Sequence, residues 1–89
     1  MFYKKLSLVT GGFDPIHSGH ISYFSRAKDF SDFLVVGIKT EEWLTKKKGQ
    51  YFQTWKERAE IIRHLRMVDA VSLCLMMIED QLVVRLINA

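Results

Sequence analysis

The sequence predicts a small α/β fold, a short parallel sheet of about three strands with helices flanking it, and three observations carry that reading. An apolar run at Leu6, Leu8 and Val9 is closed by Gly11 and Gly12, as a buried strand ending in a turn would be. A second run, from Phe33 to Ile38, is apolar almost without a break and rich in β-branched residues, the pattern of a strand covered on both faces. Between them Ile21, Phe24 and Ala27 recur at helical spacing. Strand, helix and strand in that order make a βαβ unit whose crossover is right-handed.

Taken along the chain, Ser18 is placed to cap the first helix, with Arg26 and Lys28 on its outer side and an end near Phe30. From Thr40 to Gln53 the sequence turns polar and basic behind an anchor of Trp43 and Leu44, which reads as a short helical turn and then a loop. Thr54 and Glu57 have capping-box spacing, and Ala59, Ile62 and Leu65 follow on one helical face up to about Met67. Val71 to Ile78 reads as a third strand. After it Glu79 and Asp80 would open a final helix carrying Leu82, Val83, Leu86 and Ile87.

At 89 residues, 48% apolar and 26% charged, the chain reads as one soluble domain over residues 1–89. A chain of this size buries a small share of its surface, so a homodimer is expected. The net charge of +3 suits a small phosphorylated ligand, while thirteen basic residues against ten acidic ones fall short of a nucleic-acid-binding excess. Cys74 is the sole cysteine, which rules out a disulfide framework within one chain and points to a reduced, cytoplasmic setting. No apolar run is long enough for a membrane span, and the opening residues lack a signal peptide's apolar core.

The residues that carry chemistry lie between the first strand and the first helix, in Gly11-Gly12-Phe13-Asp14-Pro15-Ile16-His17-Ser18-Gly19-His20. A strand-to-helix turn gathers backbone N–H groups at the positive end of a helix dipole, which favours anions. The glycines let a phosphate approach the main chain. His17 and His20 bracket the first helical residues, so both imidazoles can face one pocket and donate hydrogen bonds to phosphate oxygens gaining charge. A lone histidine is more often a cap or a surface residue, but packing alone does not require two of them, three apart, directly after a Gly-Gly turn.

The run Gly12-Phe13-Asp14 followed by His17-Ser18-Gly19-His20 resembles the HxGH signature of the cytidylyltransferase-like nucleotidyltransferase superfamily. The likeness continues through Val36-Gly37-Ile38, Glu41 to Leu44, Lys46 to Gly49, Trp55 to Glu60 and Val68 to Val71, and weakens after Val71. It is strongest to small enzymes such as the glycerol-3-phosphate cytidylyltransferases and heptose 1-phosphate adenylyltransferases. Family members carry further strands and a late Ser/Thr-rich motif beyond the stretch matched here.

The resemblance implies a Rossmann-like, three-layer domain in which a substrate phosphate attacks the α-phosphate of CTP or ATP and pyrophosphate leaves, commonly with Mg²⁺. The acceptor would be a phosphorylated sugar or polyol. By matching position, His17 and His20 would contact the triphosphate, and Gly11, Gly12 and Phe13 would line its turn. Asp14 would order the loop or serve only as a turn residue. The family's lysine segment maps to Lys46, Lys47 and Lys48, which would bring the acceptor's phosphate against the triphosphate, Lys46 and Lys47 binding the acceptor and Lys46 slightly favoured as catalytic; the alternative is a solvated surface run. Arg58 matches an arginine near the acceptor site, against salt bridging with Glu57 or Glu60. Trp43 and Trp55 read as packing anchors rather than base-stacking groups. No residue is assigned to a metal. A non-catalytic module that binds a phosphorylated ligand or a partner subunit is the second reading.

Overall fold

The structure is a computed structural model and describes residues 3–74 and 82–88. Its elements are β1 (Tyr3–Gly11), α1 (Ser18–Asp29), β2 (Phe33–Lys39), α2 (Glu41–Lys48), α3 (Trp55–Arg63), β3 (Ala70–Cys74) and β4 (Leu82–Asn88). The strands form one sheet in the order β3-β2-β1-β4. β2 runs parallel to both β1 and β3, with Val9 opposite Val36 and Val36 opposite Val71. The expected small α/β fold built on parallel strands is therefore present.

β2 is central, and its side chains show it: Leu34, Val36 and Ile38 are fully buried, and Lys39 is too. Val9, Leu34, Val36 and Ile38 share one cluster with Phe24 and Ala27 of α1 and with Ala59 and Ile62 of α3, so both helices cover the same face of the sheet. Burying this apolar area is the dominant favourable term in holding the layers together. Ile21, expected on the same stripe, is 39% exposed and sits at its margin. Asp69 fastens the lower edge: its carboxylate accepts the Leu34 N–H at 2.7 Å and the Lys28 ammonium at 2.6 Å, while its own N–H reaches the Leu34 carbonyl.

Four local expectations are corrected. α1 is capped by His17 and not by Ser18, because the backbone of His17 is extended and its ring accepts the Gly19 N–H, the role a serine oxygen usually takes. The segment after β2 is an eight-residue helix where a single turn and loop were expected. Its acidic first turn and its three closing lysines complement the helix dipole, Thr40 caps it, and Gly49 at φ 88° ends it in the left-handed region that glycine tolerates. α3 closes at Arg63, short of Met67, as the His64 and Leu65 N–H groups turn back to carbonyls three residues earlier.

The last correction is the largest. Leu82–Asn88 is a strand, not a helix, and pairs antiparallel with β1, Leu82 against Val9 and Asn88 against Tyr3. The edge of β1 offered unpaired backbone groups, and a β-branched run met them better than a helix could. β3 begins at Ala70 and is described to Cys74; the remainder of the third strand expected up to Ile78, with Glu79 and Asp80, lies outside the described residues.

Parallel pairing brings the ends of β1 and β2 to the same edge of the sheet, where Gly11 lies opposite Ile38. The turn into α1 and the start of α2 meet there, as ligand sites of open α/β sheets do.

Candidate functional site

The turn between β1 and α1 is held from several directions. Phe13 adopts a positive φ of 51°, uncommon for an aromatic residue, and its buried ring packs edge-on against His20 and Phe24, each with centroids 5.1 Å away. Asp14 is also buried, and its two carboxylate oxygens accept the backbone N–H groups of Phe52 at 2.6 Å and Gln53 at 2.8 Å. Lys48 donates to the Asp14 carbonyl and pairs with its carboxylate at 3.6 Å. Asp14 thereby ties the turn to the segment that enters α3.

The two histidines form a reciprocal cap. His17 Nδ1 accepts the Gly19 N–H at 3.1 Å, and His20 Nδ1 accepts the His17 N–H at 3.1 Å. Because both Nδ1 atoms act as acceptors, the proton of each neutral ring sits on Nε2. The ring centroids are 4.0 Å apart. With both Nδ1 lone pairs taken by the backbone, the imidazoles are fixed as N–H donors. No residue in the first turn of α1 is acidic, so the helix itself brings no negative charge to the positive end of its dipole.

The glycines serve packing more than open approach to a ligand. A Cβ on Gly11 would lie 2.8 Å from the Phe13 ring, one on Gly12 would lie 2.7 Å from Leu44, and one on Gly19 would lie 2.9 Å from His17 Cε1. Each lets a neighbouring side chain reach the place that positions it.

A cleft of about 320 Å³ opens here, lined on the turn side by Gly12, Phe13, Asp14, His17 and His20, and on the α2 side by Trp43, Leu44, Lys47 and Lys48. The expected nucleotide-binding residues therefore come together, Gly11 lying just behind them under Phe13. Of the lysine run, Lys47 and Lys48 line the cleft while Lys46, also exposed, does not. Helical spacing, not proximity in sequence, separates these neighbours.

Arg58 does not line the cleft either. Its side chain is fully buried; Nη1 donates to the carbonyls of Gly12 at 2.8 Å and Lys39 at 2.6 Å, and Nε donates to those of Gln53 and Thr54. Neither Glu57 nor Glu60 is its partner; Glu60 pairs with Arg63. Burial pushes the guanidinium down from its usual range, against the pull of Asp14 and Glu41. The carboxylate of Glu41 accepts the Trp55 N–H at 2.8 Å, and this bond, its own backbone N–H and the nearby Arg58 charge hold it below the ordinary glutamate range. Trp55 in turn donates its indole N–H to the Ile38 carbonyl, consistent with a packing anchor.

Two imidazoles, two lysine side chains and a helix N-terminus thus lie around one cleft, an arrangement whose charge suits an anionic ligand. Residues 8–85 match the model of the cytidylyltransferase-like family. The chain belongs to this family. An FAD synthase of Thermococcus sibiricus is 41% identical to it over 70 residues, which is 76% of this chain and 47% of that protein. The glycerol-3-phosphate cytidylyltransferase of Bacillus subtilis is 37% identical over 67 residues, 75% of this chain and 52% of that protein. A lipopolysaccharide core biosynthesis protein from Thermoplasma volcanium has a similar structure, with a TM-score of 0.72 and 29% identity over 78% of this chain and 56% of its own. The chain spans about half the length of the curated relatives it matches.

In this cytidylyltransferase-like chain, sequence reasoning missed Lys39, gave Glu41 and Asp69 no role beyond their place in the resemblance, and did not set Lys48 apart from its two neighbours. Lys48 carried a signal, its place in the last turn of a helix beside Gly49. Lys39 ends an apolar strand and gave none. Among the described residues no helix is long and apolar enough to cross a membrane.

Proposed function

We propose that the chain is a nucleotidyltransferase that holds the triphosphate of CTP or ATP against the 11–20 turn and transfers the nucleotidyl group to a phosphorylated sugar or polyol. The observation that supports it most is the pair of imidazoles at a helix N-terminus, each with Nδ1 accepting a backbone N–H, that line one cleft with Lys47 and Lys48. In that reaction an acceptor phosphate oxygen forms a bond to the α-phosphorus, the bond to the oxygen bridging to the β-phosphate breaks, and pyrophosphate leaves with the electron pair. The acceptor phosphate is already anionic and needs no base. What the reaction needs is neutralisation, and His17 and His20 supply it by donating from Nε2 to oxygens whose charge grows.

Lys47 and Lys48 offset the repulsion between two anionic reactants. Lys46 has no role in this reading, and Arg58 acts by holding the Gly12 carbonyl, and so the turn, in place. Mg²⁺ entering with the nucleotide would supply positive charge that offsets the charge of the phosphates. Both carboxylate oxygens of Asp14 already accept backbone N–H groups, and among the described residues no three His, Cys, Asp or Glu side chains are grouped to hold a metal. We expect the protein to work in the cytoplasm as a homodimer.

Pyrophosphate release measured with CTP and with ATP over a panel of sugar and polyol phosphates tests the reading. Turnover is expected with one nucleotide, falling by a factor of about 10² to 10³ in His17→Ala or His20→Ala. Calorimetry supplies the second arm: nucleotide binding that persists in the doubly substituted protein would overturn the proposed contacts. Binding without turnover would assign a phosphate-binding module.

A further inference from the structure

We propose that Trp43 is a positioning residue that holds the Lys47 ammonium at the cleft, poised for a polyphosphate. This rests on the reading of the cleft as a triphosphate site. Trp43 and Lys47 are four residues apart on α2 and therefore share one face of the helix. The Lys47 ammonium lies 5.1 Å from the indole centroid and that of Lys39 lies 4.6 Å from it, both within the reach of about 6 Å over which a ring's quadrupole attracts a cation. The same indole borders the phosphate turn, since a Cβ on Gly12 would come within 3.4 Å of its Cζ3. One ring thus touches both the turn and the lysine.

Trp43 is held at both its main chain and its ring. Thr40 Oγ1 accepts the Trp43 backbone N–H at 3.1 Å, capping α2, while Lys39, fully buried at the end of β2, brings its ammonium to 4.6 Å from the indole centroid. A lysine at an exposed helix end samples many rotamers, and ordering it when a ligand arrives weakens binding. Resting on an indole, Lys47 has most of that ordering done before the ligand comes. Lys46, one residue earlier, makes no cation–π contact with this ring, which separates two lysines that spacing in sequence could not.

The test uses inorganic tripolyphosphate as the probe, with affinity measured by calorimetry. Trp43→Leu is expected to weaken binding about two- to fivefold, the effect of one cation–π contact at an exposed site, and Trp43→Phe to restore most of it. In a Lys47→Met background the Trp43→Leu change is expected to have no further effect, whereas in a Lys56→Met background, which removes a charge on α3, it is expected to keep its full size. Tryptophan emission gives a readout on the intact ring in a Trp55→Phe background, where Trp43 alone emits: tripolyphosphate is expected to shift it there and not once Lys47→Met is added.

Wild-type affinity in Trp43→Leu, or an equal loss with and without Lys47, would overturn the proposal while leaving the triphosphate site standing. Should Trp43→Leu fail to fold, the emission measurement decides alone, and a shift that persists in Lys47→Met overturns the proposal. A wild type that does not bind tripolyphosphate overturns both this inference and the reading beneath it.

Discussion

Gly19 shows how much a single missing methyl group decides. Alanine favours a helix over glycine by about 1 kcal/mol in general. Here the added carbon would meet His17 Cε1 at 2.9 Å and push away the imidazole that caps α1. Gly19→Ala is therefore expected to destabilise the protein by about 1 kcal/mol through loss of the cap, lowering Tm by about 4–8 °C where propensity alone would raise it. Calorimetric melting reads the sign directly. Arg58 makes the opposite kind of case, a charge whose work is internal. Arg58→Met would leave the buried carbonyl of Lys39 and the half-buried one of Gly12 without their donor, and urea unfolding is expected to show a loss of about 2–3 kcal/mol. The sequence placed both histidines at the turn, because a glycine corner followed by paired imidazoles has few other uses. It could not place Arg58, since a basic residue on an amphipathic helix looks alike whether it faces a ligand, a glutamate or a row of carbonyls from other segments.

Among the secondary elements, β1, β2 and the start of α3 were legible because local pattern and tertiary role agree there: continuous apolar strands in the centre of a sheet, and a threonine cap three residues before Glu57. α2 was half legible. Its dipole-matched ends were in view, but the lysines looked like the beginning of a loop. β4 was misread because its spacing fits a helical stripe as well as an apolar strand, and the open backbone of β1 that selected the strand belongs to a distant part of the chain. The joint between α1, β2 and β3 yields a prediction about acid. Burial pushes the Asp69 carboxyl up, yet the hydrogen bonds from Lys28 and the Leu34 N–H outweigh it and hold it below its usual 3.8. A carboxyl that titrates lower in the folded chain than in the unfolded one contributes stability that is complete above the unfolded value and is lost as pH falls through the folded one. Melting curves from neutral pH down to about 3 should show this loss in the wild type and a shallower one in Asp69→Asn.

The molecule as a whole carries +3, and its three consecutive lysines close the helix beside the cleft. Binding of a polyanion should accordingly weaken as salt rises, because partly exposed charges are screened over about 8–10 Å at moderate ionic strength. Affinity for tripolyphosphate measured from low to moderate salt should fall steadily, and less steeply in Lys47→Met. The expected homodimer is a matter for light scattering, where an unchanging monomer mass across concentration would refute it.

The antiparallel return of β4 also fixes where handles can be attached. Asn88 pairs with Tyr3, at the end of β1 opposite Gly11 and about 26 Å along the strand from it. A tether joined at either residue would emerge from the far side of the sheet, with the cleft turned toward open solution. Immobilised on a sensor chip by either route, the protein should show the same affinity for the proposed nucleotide as it shows in free solution.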